Sequence, residues 1–170
     1  MLFKLLKANS YMPKMVVNDR DTTLMNVVAT VLPDSSVVLC YFHVGKNVIA
    51  KIITDCKVKQ KVVIVDGKKK LVDKVKPSEI VVTIFHAWEK VVESPTQELY
   101  ANNVMEFQDA CKNFHKFLHY VQTTILDTVK ENIVREWTDL VLHLGCRTTN
   151  RVEVAHGKVK PHHVSCFNPK

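Results

Sequence analysis

Glycine is scarce in this chain, with four in 170 residues, and proline is little commoner at six. That scarcity excludes collagen-like and linker-dominated chains, and it predicts that helices dominate. Long hydrophobic runs are missing as well. Nothing approaches the ~20 apolar residues that a membrane helix needs, so no membrane partner is expected. The five cysteines (Cys40, Cys56, Cys111, Cys146 and Cys166) are odd in number and widely spaced. That pattern argues against a disulfide framework and for a reducing compartment, cytosol or nucleus. The opening residues, Met1-Leu2-Phe3-Lys4-Leu5-Leu6-Lys7, are too few and too charged for a secretory leader.

What is present is an ordinary globular mixture. At 46% hydrophobic and 24% charged, the chain can bury a core and is too apolar for a disordered one. The formal net charge is +7. Nearly all of the excess lies between Lys51 and Lys76, where nine lysines face three aspartates, Asp55, Asp66 and Asp73. Such a run suits a polyanion, because lysine contacts to phosphate are sequence-blind and salt-sensitive. It reads equally well as a solvated, lysine-rich connection.

Along the chain, Met1 to Ala8 reads as the end of a helix. Met15-Val16-Val17 is short, β-branched and apolar, as a buried central strand would be. Asp21 is placed to cap a helix with Leu24, Val27, Val28 and Val31 on its inner side. Pro33-Asp34-Ser35-Ser36 marks a turn. Val37 to Cys40 reads as a second strand, and Phe42 to Ile53 as a helix with Val44, Val48, Ile49, Ile52 and Ile53 inward. Strand–helix–strand–helix is the grammar of an α/β domain. Beyond Cys56, Lys61 to Lys68 carries an Asp66-Gly67 turn, a hairpin signal with a weaker second arm over Leu71 to Val75.

From Ser78 the pattern turns helical. Ile80, Val81, Ile84, Trp88 and Val91 mark one helix, closed by Pro95. A longer one carries Leu99, Val104, Phe107, Cys111, Phe114, Leu118 and Val121. A third carries Ile125, Val129, Ile133, Val134, Trp137, Leu140, Val141 and Leu144, with Gly145 as its C-cap. Thr148, Thr149 or Asn150 can then cap a further helix, with Glu153 in its first turns. The tail from Pro161 has no clear period.

Asp19, at the end of a strand and before a helix, sits where α/β folds place functional groups, although on its own it reads more readily as a helix cap. Cys40 and His43 have the Cys-x-x-His spacing of zinc ligands, but a pair is half a set, and a structural role is the favoured reading. His115 and His119 share a helix face and are expected to be exposed rather than metal-bound. Trp88 and Trp137 fit apolar stripes and are expected to be core.

The order of these pieces matters more than any one of them. Asp19-Arg20-Asp21, Leu24, Pro33, Cys40, His43 and Asn47 are followed much later by Trp137-Thr138-Asp139, His143-Leu144-Gly145, Thr148-Thr149-Asn150-Arg151-Val152-Glu153 and His156. In that order they resemble the transposase domain of Mutator-like elements (MULE), across most of residues 1–160. The same motifs resemble those of plant transposon proteins and the related FAR-RED IMPAIRED RESPONSE transcription factors.

The resemblance implies an RNase H-like core interrupted by a helical insertion. Three carboxylates there hold two divalent ions, Mg²⁺ or Mn²⁺, for attack on a DNA phosphodiester. Residue by residue, it makes Asp19 the second acidic ligand and Glu153 the third. Cys40, His43 and Asn150 are their motif neighbours. The first acidic strand is expected upstream of Met1. The chain then reads as the second half of the core, expected to be too incomplete to hold metal firmly or to catalyse. Zinc is the less favoured metal. The expected layout is a core over 1–56, a basic hairpin or linker over 57–77, a helical insertion over 78–144, a return segment over 145–160 and a tail over 161–170. DNA is the implied partner, in the nucleus, through Lys57, Lys59, Lys61, Lys68, Lys69, Lys70, Arg147 and Arg151. Association with a second chain is left open. The alternative is a domesticated, regulatory DNA-binding module.

Overall fold

The computed structural model describes residues 12–58, 62–65, 68–71, 76–141 and 147. They form a mixed α/β protein, mostly helical, with a small two-stranded parallel sheet. The chain divides into two compact units. One combines residues 1–44 with 138–170, and the other is 45–137. The Met1–Ala8 helix end, the Gly145 cap and the segment carrying Asn150, Arg151 and Glu153 lie outside the described residues.

The first unit begins with β1 (Met15–Asn18), then α1 (Thr22–Val31) and β2 (Ser36–Leu39). β1 and β2 pair in parallel, with Met15 opposite Ser36 and Asn18 opposite Leu39. A crossover helix between parallel neighbours is the βαβ arrangement that the strand–helix–strand pattern predicts. β2 enters the core with Val38 and Leu39, whereas β1 is half-buried along Met15 to Val17 and fully buried only at Asn18. In α1 the expected inner face is displaced. Val28 and the following Leu32 are buried, while Leu24 and Val27 are exposed at 42% and 44%. The buried line of α1 therefore runs through Val28 and Leu32, four residues apart and so on one side of the helix.

α2 (Tyr41–Asp55) follows β2 directly. Val48 and Ile52 line its buried side in the second unit, but Ile53 is 57% exposed rather than inward. Gly45 is buried, and a side chain there would meet the Phe85 ring at 3.6 Å. Asp55, at the helix end, forms ion pairs with Lys51 at 3.0 Å and Lys116 at 3.4 Å, with its side chain only 2% exposed. The Lys51 contact first, then Lys116, holds this carboxyl below its usual range against the opposing effect of burial. Lys51, the first lysine of the basic run, is therefore engaged within the fold.

β3 (Val62–Val65) and β4 (Lys68–Leu71) make the antiparallel hairpin that Asp66-Gly67 signals. The second arm is Lys68–Leu71, earlier than the expected Leu71 to Val75. Val65 lies opposite Lys68, so the second arm starts there.

The helical region has α3 (Pro77–Val92), α4 (Gln97–Ala110) and α5 (His115–Val121). Pro77 opens α3, where a missing N–H costs nothing. Thr96 caps α4 by accepting from the Leu99 N–H at 3.3 Å. Trp88, Phe107 and Phe117 are buried, with ring centroids 6.2 Å and 6.1 Å apart along the series and edge-to-face geometry. The single long helix expected over Leu99 to Val121 is two helices. The chain turns at Cys111 to Phe114, where the Phe114 N–H donates to the Cys111 carbonyl at 2.8 Å. The turn lets Phe107 and Phe117 enter the same cluster from different helices.

The third expected helix, Ile125 to Leu144, is largely absent among the described residues. In its place are a π-helical turn (Gln122–Leu126), a 3₁₀ turn (Lys130–Asn132) and the short α6 (Arg135–Thr138). The hydroxyls of Thr123, Thr124 and Thr128 donate to carbonyls four residues back, competing with regular helix bonding. The Asp127 N–H reaches back five residues to Gln122 at 2.9 Å. Ile125, Leu126, Ile133 and Val134 stay buried, but Leu140 is 81% exposed. The apolar positions read as a helical stripe are met by irregular turns instead.

Candidate functional site

The site is at the carboxyl ends of the two parallel strands. β1 ends at Asn18, whose side chain is held twice by one neighbour. Its Nδ2 donates to the Asp21 carbonyl at 2.9 Å, and its Oδ1 accepts from the Asp21 N–H at 3.1 Å. Arg20 between them has φ 72°, the left-handed region that a non-glycine residue enters at a cost. The turn is thus closed by Asn18 and driven through a strained residue, and it projects Asp19 outward.

Asp21 then caps α1, as its position implied. One carboxylate oxygen accepts from the Thr23 N–H at 2.8 Å and the Leu24 N–H at 3.1 Å. The two aspartates therefore have separate roles: Asp21 supports the helix, and Asp19 does not cap it.

β2 delivers the other half. The Cys40 N–H donates to the Asn18 carbonyl at 2.7 Å, which ties the two strand ends together. Cys40 is completely buried and its carbonyl accepts from the Val44 N–H at 3.1 Å, so it stands at the start of α2. One helical turn later His43 returns to the same place. Its Nδ1 is 3.2 Å from the Cys40 sulfur and 2.9 Å from Asp19 Oδ1. The histidine is 25% exposed and the aspartate 50%, so the group runs from a buried sulfur to a solvent-facing carboxylate. The Phe42 and His43 rings meet edge-on, with centroids 5.5 Å apart.

Arg147 lies beside this group. Its carbonyl accepts from the Tyr41 N–H at 2.9 Å, and its guanidinium lies 5.9 Å from the centre of the Tyr41 ring. Asn47 is exposed further along α2. Lys57 is exposed in the segment after α2, and Lys68, Lys69 and Lys70 form most of β4. Lys59, Lys61, Asn150, Arg151 and Glu153 lie outside the described residues. His115 and His119 are exposed on α5, as expected. Trp88 is core, whereas Trp137 is only part-buried, edge-on to Tyr100 at 5.2 Å with Lys130 over its face.

Asp19, Cys40 and His43 are the one group of this kind among the described residues whose donor atoms could close on a single ion. The sequence presented Asp19 in one motif and Cys40-x-x-His43 in another. It did not show that the carboxylate is the third donor to the pair, because that depends on strand pairing. The donors are one carboxylate oxygen, one sulfur and one imidazole nitrogen. Mg²⁺ prefers hard oxygen ligands, and among the described residues this set does not fit it.

The chain matches no family model, no curated protein and no solved structure.

Proposed function

We propose that this chain is a transposase-derived domain of the MULE type, with an RNase H-like core, and that it acts by binding DNA. One observation carries the reading: Asp19, after the first strand, and Cys40-x-x-His43, after the second, meet at the same end of a parallel pair. Strand, carboxylate, capped helix, strand, Cys-x-x-His and helix follow in the order in which the family arranges them. Parallel α/β sheets gather function at the carboxyl ends of their strands, which supports the same reading. DNA contact is assigned to Lys57, Lys68, Lys69, Lys70 and Arg147, with Lys59, Lys61 and Arg151. The compartment that follows from a DNA partner is the nucleus. Binding without cleavage is favoured because one carboxylate, a thiol and an imidazole make a poor cradle for a pair of Mg²⁺ ions.

The test is fluorescence anisotropy of the full chain on labelled duplex DNA across a salt series. Affinity is expected to fall steeply with salt. Replacing Lys68, Lys69 and Lys70 by Gln is expected to flatten the log–log slope by about 0.9 for each phosphate these lysines neutralise. No binding, or binding indifferent to salt, overturns the DNA assignment. Strand-cleavage assays with Mg²⁺ or Mn²⁺ are expected to be silent, and cleavage abolished by Glu153→Ala would show a working nuclease instead.

A further inference from the structure

From the geometry at the strand ends we infer that Asp19, Cys40 and His43 form a binding site for a zinc-class transition metal, with three protein ligands and a fourth, exchangeable position. The inference stands on these three side chains alone, so DNA binding can fail while it holds.

The donor set is the first argument. Thiolate and imidazole select borderline and soft metals, and a carboxylate completes many zinc sites. Three protein ligands with an open fourth position is the pattern of zinc sites that exchange a ligand, in contrast to closed four-ligand structural sites.

Distance is the second argument. Zinc bonds of about 2.0–2.1 Å to nitrogen or oxygen and 2.3 Å to sulfur, at tetrahedral angles, put neighbouring donor atoms about 3.3–3.6 Å apart. The His43 nitrogen lies 3.2 Å from the Cys40 sulfur and 2.9 Å from the Asp19 oxygen, and all three donor atoms lie within 4.8 Å of one another. A metal among them needs shifts of a few tenths of an ångström at His43. It also needs a swing of the Asp19 carboxylate, whose side chain is half-exposed.

Preorganisation is the third. Cys40 is fixed by its backbone bond to Asn18, and Asn18 by its two bonds to Asp21. His43 follows one turn later, in α2. Two donors are thus placed by secondary structure, and the third closes from the solvent side, where the open position would lie.

The experiment titrates the full chain, stripped of metal by a chelator, with Co²⁺ and reads the thiolate-to-cobalt charge-transfer band. One Co²⁺ per chain, displaced by Zn²⁺ and not by a thousandfold excess of Mg²⁺, is expected. Cys40→Ser should abolish the band. Since Cys40 is buried and its replacement can disturb folding, Asp19→Asn and His43→Gln supply independent readouts. Each should weaken Co²⁺ binding at least about tenfold, because even outer-shell changes cost about 10–100-fold, and circular dichroism should report an intact fold for both. The inference is overturned by the lack of a charge-transfer band, by displacement with Mg²⁺, or by undiminished Co²⁺ affinity in folded Asp19→Asn and His43→Gln. A band that survives Cys40→Ser and disappears in Cys146→Ser or Cys166→Ser overturns it too.

Discussion

Four consecutive residues divide the work of one turn. Asn18 closes it, Asp19 faces outward toward His43, Arg20 takes the strained backbone, and Asp21 caps the helix. A left-handed conformation costs a non-glycine residue about 1–2 kcal/mol, so the turn persists because the bonds around it outweigh that cost. Asp21→Ala removes both side-chain cap bonds and should destabilise the protein by about 1 kcal/mol in urea denaturation. The backbone bonds of residue 21 to Asn18 survive that change, so the Co²⁺ response described above should be kept. A loss of stability accompanied by loss of the metal response would show that the cap and the site are one unit.

At the scale of elements, the second unit is held by an aromatic cluster and a polar clasp. Phe107, fully buried, lies between Trp88 on α3 and Phe117 on α5. Phe107→Ala removes a ring that fills the space between two others and should cost about 3–5 kcal/mol. Met105→Ala, two residues away but 60% exposed, should stay within about 0.5 kcal/mol in the same denaturation series. Equal destabilisation by the two would mean that α4 is not oriented as described. The clasp is built on buried Ser94. Its hydroxyl donates to the Lys90 carbonyl at 2.8 Å and accepts from Asn103 Nδ2 at 2.9 Å, while its carbonyl accepts from the Glu136 N–H at 2.9 Å. These bonds join α3, α4 and α6, and none is visible in a hydrophobic pattern.

For the molecule as a whole, the buried thiols make stability depend on alkaline pH. Burial first, and the Asp55 charge second, push Cys56 up to about 11 from 9.0. Burial, then the neighbouring Cys56, push Cys111 up to about 12 from 9.0. Below pH 9 both thiols are protonated in the folded and unfolded chains alike, so they give no slope. Above pH 9 the unfolded chain releases these protons and the folded chain keeps them. Stability therefore falls as pH rises, by about 1.4 kcal/mol per pH unit for each thiol, until the folded thiols ionise near 11 and 12. Tyr100, also raised by burial and then by Asp127, adds to the fall at higher pH. Urea denaturation between pH 8 and 11 should show this slope, and it should be shallower in a Cys56→Ala, Cys111→Ala variant. An identical slope in that variant would remove the thiols as its cause.

Strand, turn, cap and hairpin positions were legible in the sequence because each depends on neighbours a few residues apart. The strands expected over Met15–Val17 and Val37–Cys40, found over Met15–Asn18 and Ser36–Leu39, the Asp21 cap and the β3–β4 hairpin ladder are of this kind. The helix breaks at Cys111 to Phe114 and through Thr123 to Thr128 were not, because apolar spacing is silent on which hydroxyls bond back to the chain and which turns let two rings share one cluster. Asp19 and the Cys40–His43 pair were each recognisable as chemistry, and their order suggested a family. Only the parallel pairing of β1 with β2 made the carboxylate the third donor, since hydrogen bonds between distant strands bring their ends together.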